Sequence, residues 1–397
     1  MLLLGLVVSC LFLVADASIL APENINRDWE IIIVGGGPSG LSALSGLGRV
    51  RRRALLFDSG EYRNAQTRNI HDVIGNDGAV PREFRELAQK QIARYNTTKI
   101  KKVKVISIEK ESTNDANNAG PKFTVKGIDG TEHTARRIVL GTGLKDIFPT
   151  TPGIIQNFGK GIFWCPWCDG WEHRDQSIGI LGNLSDTMDT VLELWNLNND
   201  IIAFTNGTDT RTQQEELSAR YPGWRQTYKK FNITIDNRII TSIERLQDGS
   251  THNDPIQWKE FDLFRINFES GPSIDRGAFI ANFPTVQRSD LAVKMGLEMD
   301  KSGKIKTKLS GMMTTMDGVF AVGDCNSDGS TNIPHAMFSG KRAAVAIHLD
   351  IEMENLRIQA QDMGSQARMI FSRGAAENKA IEMIGNELEE GWAKLRQ

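Results

Sequence analysis

Three groups of residues in this chain have the types and spacing for chemistry. The first is Trp164-Cys165-Pro166-Trp167-Cys168-Asp169-Gly170, two thiols separated by two residues with a carboxyl beside the second. Such a pair can be half of a zinc site, a structural disulfide or a redox couple. A closed zinc site needs four ligands, and beyond this pair the chain offers only Cys10, Cys325 and six scattered histidines. A bridge across two residues closes almost no loop and so hardly constrains the unfolded chain. A redox pair fits better, because adjacent thiols exchange intramolecularly, one forming a mixed disulfide and the other resolving it. Asp169 is placed to accept and return a thiol proton. An apolar setting made by Trp164, Trp167 and Trp171 would raise its pKa toward the working range. The competing reading of Asp169 is a cap on a following helix.

The second group is Glu30-Ile31-Ile32-Ile33-Val34-Gly35-Gly36-Gly37-Pro38-Ser39-Gly40-Leu41. It reads as a buried strand, a glycine turn and a helix start. Gly35 permits the tight turn, Gly37 lets backbone approach a pyrophosphate, and Gly40 lets helix and strand pack closely. The helix N-terminus offers unpaired N–H groups to phosphate. The next strand, 54–57, ends in Asp58, an acid about 20 residues after the turn, where a ribose hydroxyl is held in dinucleotide sites. The third group is Gly318-Val319-Phe320-Ala321-Val322-Gly323-Asp324-Cys325, a short apolar strand that delivers Gly323 and Asp324 to a loop, with helix-forming residues from about Pro334. Gly141-Thr142-Gly143 follows a further strand at 137–140. Cys325 reads as a small buried residue.

Elements must bring these groups together, and their order in the chain resembles one family. Glycine turn, Gly-Thr-Gly, Cys-x-x-Cys-Asp-Gly and Gly-Val-Phe-Ala-Val-Gly-Asp look like the low-molecular-weight thioredoxin reductases, over about residues 28 to 350. The resemblance implies an α/β fold of two Rossmann-like dinucleotide-binding domains, the second inserted into the first. The expected layout is an FAD-binding domain at 28–150 and 266–350, an inserted nicotinamide-type domain carrying the CxxC at 151–265, and a helical extension at 351–397. Together, the turn and the resemblance imply that FAD is held by Gly35, Gly37, Pro38, Ser39, Gly40, Asp58, Ser59, Arg63, Asn64, His71, Val105, Thr142, Asp324, His335 and Ala336. By the same resemblance Cys168 faces the flavin and Cys165 meets substrate, and His71 and the segment Pro334-His335-Ala336 lie near the isoalloxazine.

The departures from that family carry the functional expectation. After the strand at 177–181, a reductase has a second glycine turn and then paired arginines for the NADPH 2'-phosphate. Here the turn is Gly182-Asn183-Leu184-Ser185-Asp186-Thr187, and the next strand, 200–204, ends in Thr205-Asn206-Gly207. Asn183 adds a side chain where backbone meets pyrophosphate, and Asp186 adds a negative charge. Loss of the hydride donor with retention of FAD and CxxC resembles the fungal dithiol oxidases of gliotoxin and holomycin type. That implies oxidation of a small dithiol to a disulfide, with oxygen as acceptor and hydrogen peroxide as product. Arg63-Asn64-Ala65 and the run from His71 to Gly78 echo those enzymes, although one histidine of their usual pair is Asn69 here. The alternatives are an NADPH-dependent thioredoxin or disulfide reductase and a flavin-bound protein that holds a thiol compound without turnover.

Composition narrows the partners. The chain has 397 residues, 40 % apolar and 24 % charged, with a formal charge of -2 and 37 glycines. This is an ordinary globular balance with no electrostatic reason to expect nucleic acid. The basic runs at 49–53 and 99–104 read as solvated faces. Residues 1–17 read as a secretory signal peptide, an apolar run shorter than a membrane span followed by Ala15-Asp16-Ala17. The expectation is a secreted protein with no membrane partner. Sequons at Asn96, Asn183, Asn206 and Asn232 agree with that route. Ile381, Ile384, Leu388, Trp392 and Leu395 fall at helical spacing, a stripe that either packs on the flavin domain or forms a homodimer contact.

Overall fold

The computed structural model describes residues 28–111 and 122–362. The leader and the stripe at 381–395 lie outside the described residues.

The chain builds its first sheet around β1 (Trp29–Val34). Ile31, Ile32 and Ile33 are all fully buried, so the strand shows no alternation, as expected of a parallel strand covered on both faces. It lies between β2 (Ala54–Phe57) and β6 (Glu132–Leu140), with Ile32 opposite Leu55 and Ile138. β3 (Thr98–Lys101) extends the sheet beyond β2. On its far edge β6 pairs first with β5 (Phe123–Gly127), followed antiparallel by β4 (Val105–Lys110), and then near its end with β19 (Val319–Ala321). One face packs Ile32, Phe57 and Ile138 against α8 (Leu291–Lys294), and the other packs Ile31 and Ile33 against α1 (Pro38–Arg49) and α9 (Ile333–Asp362). α2 (Pro81–Ile92) packs on α1.

Three arginines fix α9 to the sheet. Arg137 Nε donates to Asp350 Oδ2 at 2.8 Å, Arg136 Nε to Glu354 Oε2 at 3.0 Å, and Arg52 Nη1 to Glu30 Oε1 at 2.7 Å. Arg52 is therefore buried and paired, where the basic run at 49–53 predicts a solvated face. Its Nη2 also reaches Glu352 of α9, a long-range partner that the local charge pattern does not show.

From β6 the chain crosses through β7 (Leu144–Asp146) and α3 (Ile154–Asn157) into a second, wholly parallel sheet. Its order is β11 (Thr234–Asp236), β10 (Asp200–Phe204), β9 (Ser177–Leu181), β17 (Ala278–Ala281), β8 (Ile162–Phe163). α4 (Pro166–Asp169) follows β8. α5 (Thr187–Leu194), α6 (Arg211–Arg220) and α7 (Trp224–Lys230) contribute apolar residues to a core on one face. The antiparallel strands β12 (Ile240–Gln247), β15 (Leu263–Phe268) and β16 (Ile274–Arg276) cover the other. A small hairpin, β13 (Asn253–Asp254) with β14 (Lys259–Glu260), projects between β12 and β15. β18 (Thr285–Gln287) returns beside β7, and β19 rejoins the first sheet.

This is the expected architecture of two dinucleotide-type sheets, the second interrupting the first. The second sheet takes β17 from beyond residue 265: after the covering strands β12 to β16 the chain returns to the slot between β8 and β9.

In the first unit α1 and α9 pack closely against each other. A Cβ built on Gly340 would lie 2.1 Å from Ser39 O, a backbone atom with no freedom to yield. Gly340→Ala should therefore cost about 1–3 kcal/mol, the usual penalty for overpacking a close core contact. A lower urea midpoint with unchanged slope is the expected result; a midpoint equal to that of the parent would show that the helices part freely.

Candidate functional site

A single cavity takes in both the glycine turn and the CxxC helix, lined by Gly35, Gly37, Pro38 and Ser39 and also by His71, Cys168 and Asp169. The turn is open for a reason visible in its three glycines. Gly35 has φ +120°, and a Cβ there would sit 2.1 Å from Gly141 O. A Cβ on Gly40 would sit 1.9 Å from Gly35 O, whereas one on Gly37 would meet nothing within 4 Å. Gly35 and Gly40 are thus required by packing, and Gly37 leaves bare backbone facing the cavity. Gly37 also stands at the N-cap of α1 with no side-chain cap, so the first N–H groups of that helix remain available to an anion.

Most of the expected cofactor residues line this cavity. Ser59, Arg63 and Asn64 do so after β2, Val105 at the start of β4, and Thr142, Asp324 and Ala336 on the remaining wall. Arg63 makes a two-pronged pair with Asp146 (3.0 and 2.7 Å) and reaches Asp324 Oδ2 at 3.2 Å. It thereby holds the Asp324 carboxyl, which burial pushes above its ordinary pKa, at the cavity wall. This set, an uncapped helix N-terminus with bare backbone and a fixed aspartate opposite, fits the pyrophosphate and ribityl parts of FAD.

Two expected residues are placed differently. The Asp58 carboxyl accepts from Gly60 N–H at 2.9 Å and Tyr62 O–H at 2.6 Å, and lies under Gly36, where a Cβ would come within 2.2 Å of it. Asp58 is buried and does not line the cavity, and its contacts shape the turn. His335 turns to Asp328, with Nε2 2.7 Å from Oδ2, and leaves the wall to Pro334 and Ala336. Tyr62 and Arg288 line the cavity without having been singled out in the sequence, and Asn69 and Trp164, named there for other reasons, line it too.

Cys165 and Cys168 are joined in a disulfide, with Cα atoms 5.2 Å apart. Cys165 caps the single-turn helix α4, its Sγ accepting Cys168 N–H at 3.1 Å, with Pro166 in the first turn. Cys168 lines the cavity and Cys165 does not, the arrangement the resemblance implies. Cys325 is a buried free thiol, its Sγ 3.3 Å from Leu140 O.

Asp169 is the last residue of α4, and turns follow it, so it caps no helix. The tryptophans do not enclose it as expected: Trp167 and Trp171 are 65 % and 54 % exposed, because the short helix turns them outward. Burial among other acids shapes its titration instead. Desolvation, then Glu172 and Glu260, raise the Asp169 pKa well above its ordinary value, with Arg68 opposing. Its Oδ2 is buried with no hydrogen-bond partner. Its surroundings therefore favour the protonated form of Asp169, where the sequence suggests a base.

The surrounding charges are specific. Asp262, with no exposed side chain, accepts both prongs of Arg68 at 2.8 Å, and His173 Nε2 lies 3.1 Å from its Oδ2. Those partners hold its pKa far below the ordinary range against the cost of burial. His71 Nδ1 lies 2.7 Å from Cys168 O, and Nε2 lies 3.5 Å from Glu172 Oε1. Glu172, one helical turn past Cys168, was missed in the sequence; its spacing was the available signal.

The corresponding turn in the second sheet is closed. Leu184 N–H donates to Thr208 Oγ1 at 3.1 Å, Ser185 N–H to Gln213 Oε1 at 3.0 Å, and Asp186 N–H to Asn183 O at 3.0 Å. Arg220 is engaged by Asp189 and by Ser185 O. Of these N–H groups, which face the place of a second pyrophosphate, two are satisfied by side chains and the third by a backbone carbonyl of this chain.

Comparison with known proteins agrees with the geometry. The model of the pyridine nucleotide-disulphide oxidoreductase family matches residues 29–194. A protein of Arthroderma benhamiae named "Probable thioredoxin reductase" is 52 % identical over 94 % of this chain and 92 % of its own length. Thioredoxin reductase tcpT of Claviceps purpurea is 30 % identical over 78 % of this chain and 90 % of its own. Among solved structures, HlmI superposes with a TM-score of 0.68 at 25 % identity, over 83 % of this chain and 94 % of that one. An oxidoreductase from Agrobacterium tumefaciens gives 0.66 at 26 %, over 82 % and 99 %.

The protonated state of Asp169 has a consequence for stability. Unfolded, an aspartate ionises near pH 3.9; folded, Asp169 keeps its proton to well above that value. Across this window the folded state binds more protons than the unfolded one, so stability from this site falls as pH rises. Asp169→Asn removes that loss. The variant should match the parent near pH 4 and exceed it at pH 7 in urea midpoint; an equal deficit at both would show an ionised, paired Asp169.

Proposed function

The chain belongs to the thioredoxin reductase-like pyridine nucleotide-disulphide oxidoreductases, and on that premise we propose that it is an FAD-dependent dithiol oxidase that uses oxygen. The observation that carries the reading is the contrast between the two turns: the one at Gly35 is open to a cofactor, and the one at Gly182 has its N–H donors taken by Thr208 and Gln213. FAD is the cofactor, and it supplies the two-electron acceptor. A secreted setting agrees with the reading, since oxygen is at hand there and NADPH is scarce.

The chain's own residues then act in order. One substrate thiolate attacks Cys165 Sγ and breaks the Cys165–Cys168 bond; the second resolves the mixed disulfide and leaves as the closed product. Asp169, holding its proton at the same cavity wall as Cys168, donates it to the departing Cys168 thiolate and takes it back when Cys168 must react again. Cys168 faces the cofactor cavity, so the electrons leave the pair through it. Arg63 keeps Asp324 and Asp146 fixed around the cofactor throughout.

The name of the Arthroderma relative favours the second reading, an NADPH-dependent reductase, and one experiment separates the two. Under nitrogen, dithiothreitol should bleach the bound flavin and NADPH should not; air should then restore the colour with one hydrogen peroxide per flavin. Rapid bleaching by NADPH would establish the reductase. Cys165→Ser and Cys168→Ser should each keep FAD and lose turnover at least about 100-fold, within the range that loss of a nucleophile or its partner produces; full activity in both removes the pair from the mechanism.

A further inference from the structure

We infer that His71 and Glu172 form a one-proton store: the pair takes up the proton left over when a dithiol is oxidised and returns it when oxygen is reduced. The inference rests on the oxidase reading above and adds to it where that proton resides.

The geometry fixes how many protons the pair holds at rest. A backbone carbonyl only accepts hydrogen bonds, so the contact of 2.7 Å with Cys168 O places a hydrogen on His71 Nδ1. Nε2 then faces Glu172 Oε1 at 3.5 Å. Were Glu172 ionised and Nε2 bare, two acceptors would confront each other in a buried setting, because Glu172 is 7 % exposed and its Oε2 has no hydrogen-bond partner. One proton shared between them resolves this.

The other charges nearby are engaged elsewhere. Arg68 is held by Asp248, Glu260 and Asp262, and the His173 ring lies between Asp169 O and Asp262 Oδ2. Glu260 and Asp169 face the pair as acids, and burial raises the Glu172 pKa while His71 and His173 oppose it. The pair can accept a second proton, one on each partner. Asp169 takes back the proton it lent to Cys168 and so returns to its resting load, which leaves the further proton to another group.

The reaction needs such a site once. Exchange between a dithiol and the Cys165–Cys168 disulfide moves the two thiol hydrogens onto the cysteines with no net proton. When the cysteines close again they give up two electrons and two protons, of which FAD held in the cavity beside the start of α9 at Ile333 would accept both electrons and one proton. One proton is left over. Reduction of oxygen to hydrogen peroxide would consume both electrons and both protons, so the stored proton would be returned and the cycle balances.

The store can be counted directly. In weakly buffered anaerobic solution at pH 7 with phenol red, dithiothreitol titration of the holoenzyme should release close to zero protons per flavin bleached. Glu172→Gln keeps the size of the side chain and can donate to Nε2, but holds no proton, so it should release one. A parent enzyme that releases one proton, or a variant that matches the parent, overturns the inference. If Glu172→Gln does not retain FAD, the count on the parent still decides. Failure of dithiothreitol to bleach the flavin would instead remove the oxidase reading. A readout independent of turnover is 15N-histidine NMR of the resting holoenzyme, where His71 should carry hydrogen on Nδ1; a ring protonated on Nε2 alone overturns the geometry.

Discussion

The site depends on a carboxylate kept ionised where water does not reach it. Asp262 has no exposed side-chain surface, and it remains charged because Arg68, Arg245 and His173 converge on it. Burying two opposite charges together gives little net stability, but removing one partner leaves the other uncompensated at about 3–5 kcal/mol. The value of the arrangement is positional. Arg68 precedes His71 in a segment between β2 and α2 of the first unit, whereas Asp262 comes just before β15 and His173 just after α4, both in the second. The ion cluster therefore sets the register between the loop that carries His71 and the segment that carries Cys168, Asp169 and Glu172. His71 can meet Cys168 O at 2.7 Å only when that register holds.

Within that register, one folding pattern is used in two opposite ways. Both sheets end a parallel strand in a glycine and begin a helix nearby. In the first, Gly37 carries no side chain and α1 starts uncapped, so the N–H groups and the positive end of the helix dipole remain available to a ligand. In the second, Thr208 and Gln213 reach back from the following loop and helix to occupy the same kind of donors. A self-satisfied helix start is the more stable choice for a protein alone. A chain that leaves one start open and closes the other has one anion site where its fold has room for two.

Residues whose role is set by backbone geometry were legible in the sequence. Gly35, Gly37 and Gly40 sit where their spacing places them, because a turn between a strand and a helix is settled within a few residues. The CxxC pair and Asp324 were legible for the same reason. Asp58, His335, Trp167 and Trp171 were read as facing the site and do not line it, since the direction of a side chain depends on partners far off in the chain: Tyr62 and Gly36 for Asp58, Asp328 for His335. Glu172 escaped notice because its meaning comes from His71, about a hundred residues earlier. The limits of the second unit were illegible in Ala278–Ala281, four apolar residues that would suit either sheet.

Three carboxyls lie close to the redox pair, and their surroundings set them to different states. Asp262 has two guanidinium groups and is ionised. Asp169 has an unpartnered oxygen and acidic neighbours, and they push its pKa up toward the neutral form. Glu172 lies between, beside a single imidazole with which it shares a proton. Identical chemistry is thus divided into a fixed charge, a proton donor and a site that can change by one proton without a large change in field. The proposed dithiol oxidation would make that division useful. In that reaction thiol exchange would use a donor already loaded beside the leaving sulfur, which Asp169 would supply, and electron transfer away from the pair would leave one proton beyond the one that returns to Asp169. A permanently ionised acid in place of Asp169 would repel the Cys168 thiolate, and a permanently neutral one in place of Asp262 would release Arg68 and with it the loop that positions His71.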